Sequence, residues 1–331
     1  MRGAPLAVTL GDPAGIGPEI IAAAWRASRP GDPPFVVFGD HDALAGAGAP
    51  VVRVGSPAGA AGVFAQAIPL VDMPLPAPVQ PGAPDTQAGP AIASWIATAT
   101  EACLSGKASA LVTAPISKAV LKASGFRHPG HTEFIGDLTA HAEWEGERGP
   151  VMMLAAGDLR VTLATVHLPL SQAPGALTVE GITRTARVTA QALVRDFGIP
   201  RPRLAMAALN PHAGESGEMG REEITILRPA AEALQAEGID IAGPLPADSL
   251  FAPEIRQSYD AVVCMYHDQA LIPVKMLDFW GGVNLTLGLP VVRTSPDHGV
   301  AFDIAGKGLA RPDSFIAALA AAAGIAGRRT P

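Results

Sequence analysis

The stretch Tyr259 to Lys275, YDAVVCMYHDQALIPVK, constrains the fold most. Ala261 to Met265 is an unbroken apolar, β-branched run, the pattern of a strand buried on both faces. It stops abruptly at His267-Asp268, and an apolar segment with the look of a helix follows. The same grammar occurs twice more. LRVTLATVHLP runs from Leu159 through a β-rich segment, read as strand over Arg160 to Val166, and reaches His167. RLAMAALNPHAG runs from Arg203 through an apolar run to His212. In an open α/β sheet the carboxyl ends of the strands face one crevice, where ligands bind. Three imidazoles on one such edge are expected to hold a divalent metal with positions left for substrate. Neutral imidazoles suit zinc, cobalt, nickel or manganese, and ligand type alone does not choose among them. The bland alternative for each histidine is a strand-end hydrogen bond to a backbone carbonyl.

At 331 residues the chain fits one or two domains of α/β size. An apolar fraction of 48% with 17% charged residues is that of an ordinary globular protein. A net charge of −7 argues against a nucleic-acid surface but leaves room for a locally basic pocket that takes a small anion. Cys103 and Cys264 are isolated in apolar surroundings and read as buried free thiols in a reducing compartment. Met1-Arg2-Gly3 leads directly towards a strand, without a signal peptide, and Phe315 to Ala326 is too short and alanine-rich to span a bilayer. The expectation is a soluble, cytoplasmic protein with no membrane partner.

Leu6 to Leu10 reads as the first strand, followed by GDPAGIGPEI, a glycine turn with Pro18-Glu19 opening a helix through Trp25. Position 20 is Ile where GxGxxG needs its last glycine, so a turn that brings backbone N–H groups to a ligand is favoured over a Rossmann fingerprint. Phe35 to Phe38, Ala67 to Val71 and Ala110 to Thr113 are further strand candidates, Pro90 to Leu104 a helix, and His41 a loop residue. FRHPGHTEFIGDLT offers His128, His131, Thr132 and Glu133 in a loop leading into a helix. Gly157-Asp158 between Val151–Ala155 and the following strand is a hairpin signal, so antiparallel pairing is expected there. Thr178 to Phe197 reads as an amphipathic helix and GPLPADSLFAP as a proline-broken loop that carries Asp248.

Downstream, Val283 to Leu287 and Pro290 to Arg293 read as strands. Lys275, Asn284 and Arg293 form a candidate phosphate or carboxylate clamp, since idle charge among apolar strands is costly. In DHGVAFDIAGKG, His298, Gly299 and Gly306 are candidates for close approach to a dinucleotide, and Asp303 for a ribose diol, favouring NAD. Asp248 and Asp268 are candidate catalytic carboxylates, handling a proton or orienting a metal ligand, with a turn cap and a strand-end hydrogen bond as the alternatives.

GDPAGIGPE, TAPISK, PGHTEF, LNPHAGE, PADSLF, YHDQALIPVK and GLPVVRTSPDHGVAFDIAGKG, in this order, resemble the 4-hydroxythreonine-4-phosphate dehydrogenase family of pyridoxal phosphate biosynthesis over nearly the whole chain. HGVAFDIAGKG is also similar to the NAD loop of isopropylmalate dehydrogenases, whose metal is held by carboxylates instead of imidazoles. The resemblance implies a two-domain, isocitrate/isopropylmalate dehydrogenase-like α/β fold with mixed sheets and an active-site cleft between domains. The expected division is residues 1–118 plus 280–331, carrying NAD, and residues 119–279 for metal, substrate and dimerisation. His167, His212 and His267 are implied as ligands of one divalent ion (Zn, Mg or Co), and His131, Thr132, Lys275, Asn284 and Arg293 as contacts to a phosphorylated amino or hydroxy acid. A homodimer with the active site at the subunit interface is implied as well. The implied reaction is NAD-dependent oxidation of 4-phosphohydroxy-L-threonine followed by decarboxylation. Relatives that oxidise 4-phosphothreonate, 4-phosphoerythronate or a cyclic aromatic dihydrodiol define the alternative substrates. A three-histidine zinc hydrolase and a non-catalytic metabolite-binding protein are the competing classes.

Overall fold

The computed structural model describes residues 3–329; Met1 and Arg2, the start of the expected leaderless N-terminus, lie outside the described residues. Twelve strands follow in chain order: β1 Leu6–Thr9, β2 Phe35–Gly39, β3 Val51–Arg53, β4 Ile68–Asp72, β5 Leu111–Thr113, β6 Val151–Ala156, β7 Leu159–Leu163, β8 Leu204–Ala207, β9 Ile241–Leu245, β10 Ala261–Cys264, β11 Val283–Leu287 and β12 Arg293–Pro296. The chain divides into two compact units, one of Met1–Glu143 with Leu289–Gly327 and one of Trp144–Gly288 with Arg328–Pro331. The division differs from the expected 118/119 and 279/280 crossings. Helices Lys118–Ala123 and His131–Leu138 pack on helix Gly89–Leu104, which itself lies against β1, β2 and β5. That packing places residues 119–143 with the first unit.

The first unit is wholly parallel, with strand order β3-β4-β2-β1-β5-β12. Its central strands are apolar throughout and buried at every position, as a sheet covered on both faces requires. Trp95 fills the layer beneath helix Gly89–Leu104, and its indole N–H donates to the Met73 carbonyl at 3.0 Å. Helix Gly17–Ala27 starts with Pro18 in its first turn, where a missing N–H costs nothing. His41, read from sequence as a loop residue, opens helix His41–Ala45, because Asp40 caps that helix by accepting from Ala43 N at 2.8 Å.

The second unit is mixed, in the order β11-β6-β7-β10-β8-β9. Hairpin β6–β7 turns at Gly157, and β11 pairs antiparallel with β6, while β7, β10, β8 and β9 run parallel. Helix Val179–Arg195, capped by Thr178 Oγ1, buries Ile182, Ala186 and Leu193 against Met206, Val263 and Met265. The opposite face packs Leu154, Val161, Val262 and Cys264 against Ala270 and Val274 of helix His267–Leu277. β7 ends at Leu163, short of the expected Val166. The GPLPADSLFAP segment is ordered into β9 and helix Ala247–Leu250 instead of a loop. β12 begins at Arg293, where the expected strand ended; Pro290 has no N–H to give a ladder. Cys103 is half-buried and Cys264 buried, both as free thiols, and burial pushes the Cys103 thiol up to about 12. No helix among the described residues is long and apolar enough to cross a membrane.

Candidate functional site

The three histidines follow the C-terminal ends of β7, β10 and β8, which are neighbours in that order and parallel. Hydrogen bonds beyond the ladders stitch these ends together. Ala164 N donates to Cys264 O at 2.8 Å, and Thr165 Oγ1 to Met265 O at 2.7 Å. Buried Gln269 accepts from Met265 N at 2.7 Å and donates to Ala208 O at 2.6 Å, tying β10 to β8. The chain leaves the sheet at fixed points, and the imidazoles stand where it leaves.

His167 and His267 are brought together, with ring centroids 5.8 Å apart. Asp268 Oδ1 lies 2.7 Å from His267 Nδ1, so Nε2 is the His267 nitrogen available to a cation. His212 stands on the next strand end, in a turn of five consecutive residues in the left-handed region (φ 52, 53, 79, 43 and 57 from His212 to Ser216). Four of the five carry side chains, and each left-handed L-residue costs roughly 1–2 kcal/mol. His212 Nδ1 lies 3.3 Å from Glu215 Oε2, and its ring is largely exposed. Among the described residues no three His, Cys, Asp or Glu groups are gathered closely enough to hold a metal ion. Three imidazoles are a donor set that suits a divalent cation, but within the described residues only His167 and His267 stand side by side, with His212 on the neighbouring strand end. Asp248 is exposed in the first turn of helix Ala247–Leu250.

Asn284 and Lys275 belong to the same unit. Asn284 lies on β11 opposite Leu154, and its Oδ1 is buried with no hydrogen-bond partner among the described residues. Lys275, in the last turn of helix His267–Leu277, holds its ammonium 5.2 Å from the centre of the Phe279 ring.

The first unit gathers its own polar group at the edge of β1, β5 and β12. Arg293 is 4% exposed, and its Nη2 donates to Thr113 Oγ1 at 2.7 Å. Thr113 pairs in register with Thr9, which puts both hydroxyls on one face. Burial lowers the Arg293 pKa to about 10, against the raising effect of Glu133. Burial first, then the positive charges of Arg293 and Lys118, hold the His131 imidazole well below its ordinary pKa, so it is neutral at pH 7. His131 Nε2, Thr9 Oγ1 and Asp12 Oδ2 are all buried with no hydrogen-bond partner among the described residues. Such buried orphans are what a polar ligand would satisfy. Thr132, partly buried, follows His131 in the first turn of its helix.

A pH signature follows. A histidine with a depressed native pKa binds fewer protons than the unfolded chain does, so stability falls as pH drops below about 6.5. Thermal melts of wild type and His131→Gln should diverge from pH 7 to pH 5, the wild type losing more. Parallel melting-temperature curves would contradict the buried, neutral imidazole.

The candidate dinucleotide loop is exposed and irregular. His298 Nδ1 lies 3.0 Å from Gly299 O, Asp303 is exposed, and Ala301 sits at φ 45. The glycine turn after β1 braces it: Ile16 N donates to Val300 O at 3.0 Å, and Glu19 accepts from Gly306 N at 3.1 Å and Gly308 N at 2.9 Å.

Residues 32–322 match the family described as pyridoxal phosphate biosynthetic protein PdxA. The chain belongs to the PdxA family. The 4-hydroxythreonine-4-phosphate dehydrogenase of Caulobacter vibrioides is 62% identical over 331 residues, covering 99% of each chain. The crystal structure of the enzyme of that name from Klebsiella pneumoniae superposes with a TM-score of 0.86 at 40% identity, over 97% of this chain and 99% of the other. A terephthalate 1,2-cis-dihydrodiol dehydrogenase from Burkholderia xenovorans reaches 0.63 at 32%, over 98% of both. In fold alone the likeness extends to isocitrate dehydrogenase from Methylococcus capsulatus, with a TM-score of 0.50 at 14% identity over 98% of this chain and 86% of the other.

For a PdxA chain, sequence reasoning missed Thr9, Asp12 and Thr113, because a threonine inside a strand and an aspartate in a glycine turn read as ordinary. Asp12 sits in GDPAGIGPE, where attention to the carboxylate instead of the glycines would have found it. Its Oδ1 accepts from Ala14 N at 3.0 Å, and burial raises its pKa. Gln269 was visible only as part of YHDQALIPVK; nothing in its spacing announces that it ties two strands.

Proposed function

We propose that this PdxA-family protein uses NAD to oxidise 4-phosphohydroxy-L-threonine to 2-amino-3-oxo-4-phosphooxybutanoate. That product decarboxylates to 3-amino-2-oxopropyl phosphate in pyridoxal phosphate biosynthesis. The observation that carries the proposal is the edge formed by β7, β10 and β8, three adjacent parallel strands each followed by a histidine, in a chain of this family. His167, His212 and His267 are the proposed ligands of one divalent cation; Zn, Mg and Co are the candidates. When bound, that cation lowers the pKa of the substrate's secondary hydroxyl and favours its deprotonation. NAD, when bound, accepts the hydride from the carbinol carbon.

The chain's own residues orient and hold. Asp268 fixes the His267 ring through its 2.7 Å contact with Nδ1. Arg293, His131 and Thr132 offer a cation and neutral hydrogen-bonding groups to the substrate's anionic end; Lys275 and Asn284 add an ammonium and an amide. Asp248 and Asp268 remain the proposed carboxylates for proton handling. His298, Gly299, Asp303 and Gly306 are the proposed cofactor contacts, and the Glu19 brace supports that placing. The same reading puts the enzyme in the cytoplasm.

A homodimer is part of the proposal. Ile272, Met276, Leu277, Phe279 and Trp280 form an exposed apolar run, Met276 being 82% exposed, next to Lys275. A second copy covering this run would remove the exposure. Light scattering should give twice the chain mass for wild type and the single-chain mass for Met276→Asp. A wild-type monomer would count against the dimer.

Metal-stripped protein, refilled with Zn, Mg or Co, should form NADH with 4-phosphohydroxy-L-threonine faster than with 4-phosphothreonate or 4-phosphoerythronate. Preference for a hydroxy acid without the amine would move the assignment to the related dehydrogenases. Absence of NADH with every phosphorylated hydroxy acid would end it. Calorimetry with NAD separates either outcome from a zinc hydrolase, which has no use for the dinucleotide.

A further inference from the structure

The left-handed turn from His212 to Ser216 runs against the backbone preferences of alanine, glutamate and serine, so groups outside it must hold it. Glu223 is placed to do this. The side chain is buried at 1% exposure, and Oε1 accepts from Leu209 N at 2.9 Å and Asn210 N at 2.7 Å. Oε2 accepts from Asn210 Nδ2 at 2.9 Å, while Glu222 Oε2 takes an N–H of the same amide at 2.7 Å. Packing leaves no slack: a Cβ on Gly214 would lie 2.7 Å from Glu223 Oε2, and one on Gly220 would lie 2.3 Å from Asn210 Nδ2. Glu223 also opens the wide helical turn Glu223–Leu227, of the kind that re-aims side chains near functional sites.

The geometry points to Glu223 as the positioning residue that sets the course of the chain into the His212 turn and thereby fixes where the His212 imidazole stands. This rests on the proposed reading of His212 as a metal ligand. The chemistry demands a carboxylate. Three N–H donors converge on two oxygens, and a glutamine would turn its own NH2 towards either the Asn210 amide or two backbone N–H groups. Aspartate is too short to serve both ends. Glu223 touches no substrate in this scheme; it acts through His212.

The experiment titrates metal-stripped full-length protein with Co(II), followed by its visible ligand-field bands and by competition with a chromophoric chelator. Wild type is compared with Glu223→Gln, Asn210→Ala and, as a surface control, Glu218→Gln. Glu223→Gln is expected to bind Co(II) at least about tenfold more weakly, the effect usual for groups that orient a metal ligand. Amide exchange over residues 209–217 should accelerate, while the ligand-field spectrum and turnover return at saturating metal. Asn210→Ala should shift both readouts the same way by less, and Glu218→Gln should match wild type.

Affinity within twofold of wild type, with unchanged exchange over 209–217, would overturn the inference. So would a lower melting temperature with wild-type affinity, which marks a purely structural group. If wild type binds no Co(II), the ligand reading itself fails, and exchange over 209–217 in Glu223→Gln decides the turn-holding claim alone. Should Glu223→Gln not fold, Asn210→Ala carries the test, and wild-type affinity and exchange there overturn the inference.

Discussion

His267→Ala is expected to lower kcat/KM by about 10³-fold while leaving the melting temperature nearly unchanged, since a metal ion supplies several kcal/mol of transition-state stabilisation. The asymmetry comes from where the ring sits. His267 begins its helix, its side chain is 34% exposed, and its hydrogen bond is to the exposed Asp268. Little packing is lost with it. Loss of a proposed ligand removes the cation's share of transition-state stabilisation, and with it the tight Co(II) binding expected of wild type. The chain contains its own control. His41-Asp42 repeats the same local pair, Nδ1 to Oδ1 at 2.8 Å at the start of a helix after a strand of the first unit. Within the described residues no second imidazole ring is recorded in contact with His41, whereas His167 lies beside His267. His41→Ala should therefore retain wild-type kcat/KM and metal affinity. Equal activity of the two variants would show that a strand-end His-Asp pair carries no special chemistry here.

Much of this contrast was legible before any coordinates. The apolar run Ala261 to Met265, ended by His267-Asp268, reads as a strand buried on both faces, and Ala261–Cys264 forms it with every residue buried. The hairpin at Gly157 followed from its turn chemistry, and it makes the second unit's sheet mixed. Register and backbone handedness were not legible. β7 stops at Leu163, and Ala164 and Thr165 tie its end to β10, a neighbour one hundred residues away that no local pattern reveals. PHAGES offers one glycine for five left-handed residues, and the buried Glu223 carboxylate that accepts from Leu209 and Asn210 just before the turn lies seven residues beyond Ser216, out of reach of any local pattern. In the sequence the clamp of Lys275, Asn284 and Arg293 rests on two cations and an amide donor set among apolar strands, and on the family resemblance. The fold gives Arg293 a more specific setting, a hydrogen bond to Thr113 and a neutral histidine near its charge.

That setting makes Arg293→Met the more discriminating substitution for the substrate end. Here KM for the phosphorylated substrate should rise on the order of 100-fold, since charge-assisted hydrogen bonds contribute about 1.5–3 kcal/mol each. Stability should hold or rise. Burial depresses the guanidinium pKa to about 10. A cation whose native pKa lies below its unfolded value is destabilising in its charged form at every pH below the native pKa. The native state thus carries that cost across the working range, and it diminishes only as pH climbs above about 10. Methionine keeps most of the volume and removes the desolvated charge, and the Thr113 hydroxyl must then re-partner. Arg293→Lys separates charge from shape: a lysine keeps a cation but loses the planar fork, so KM should fall between wild type and Arg293→Met. A large drop in melting temperature with unchanged KM would make Arg293 a structural partner of Thr113 and leave the anionic end of the substrate to Lys275 and Asn284.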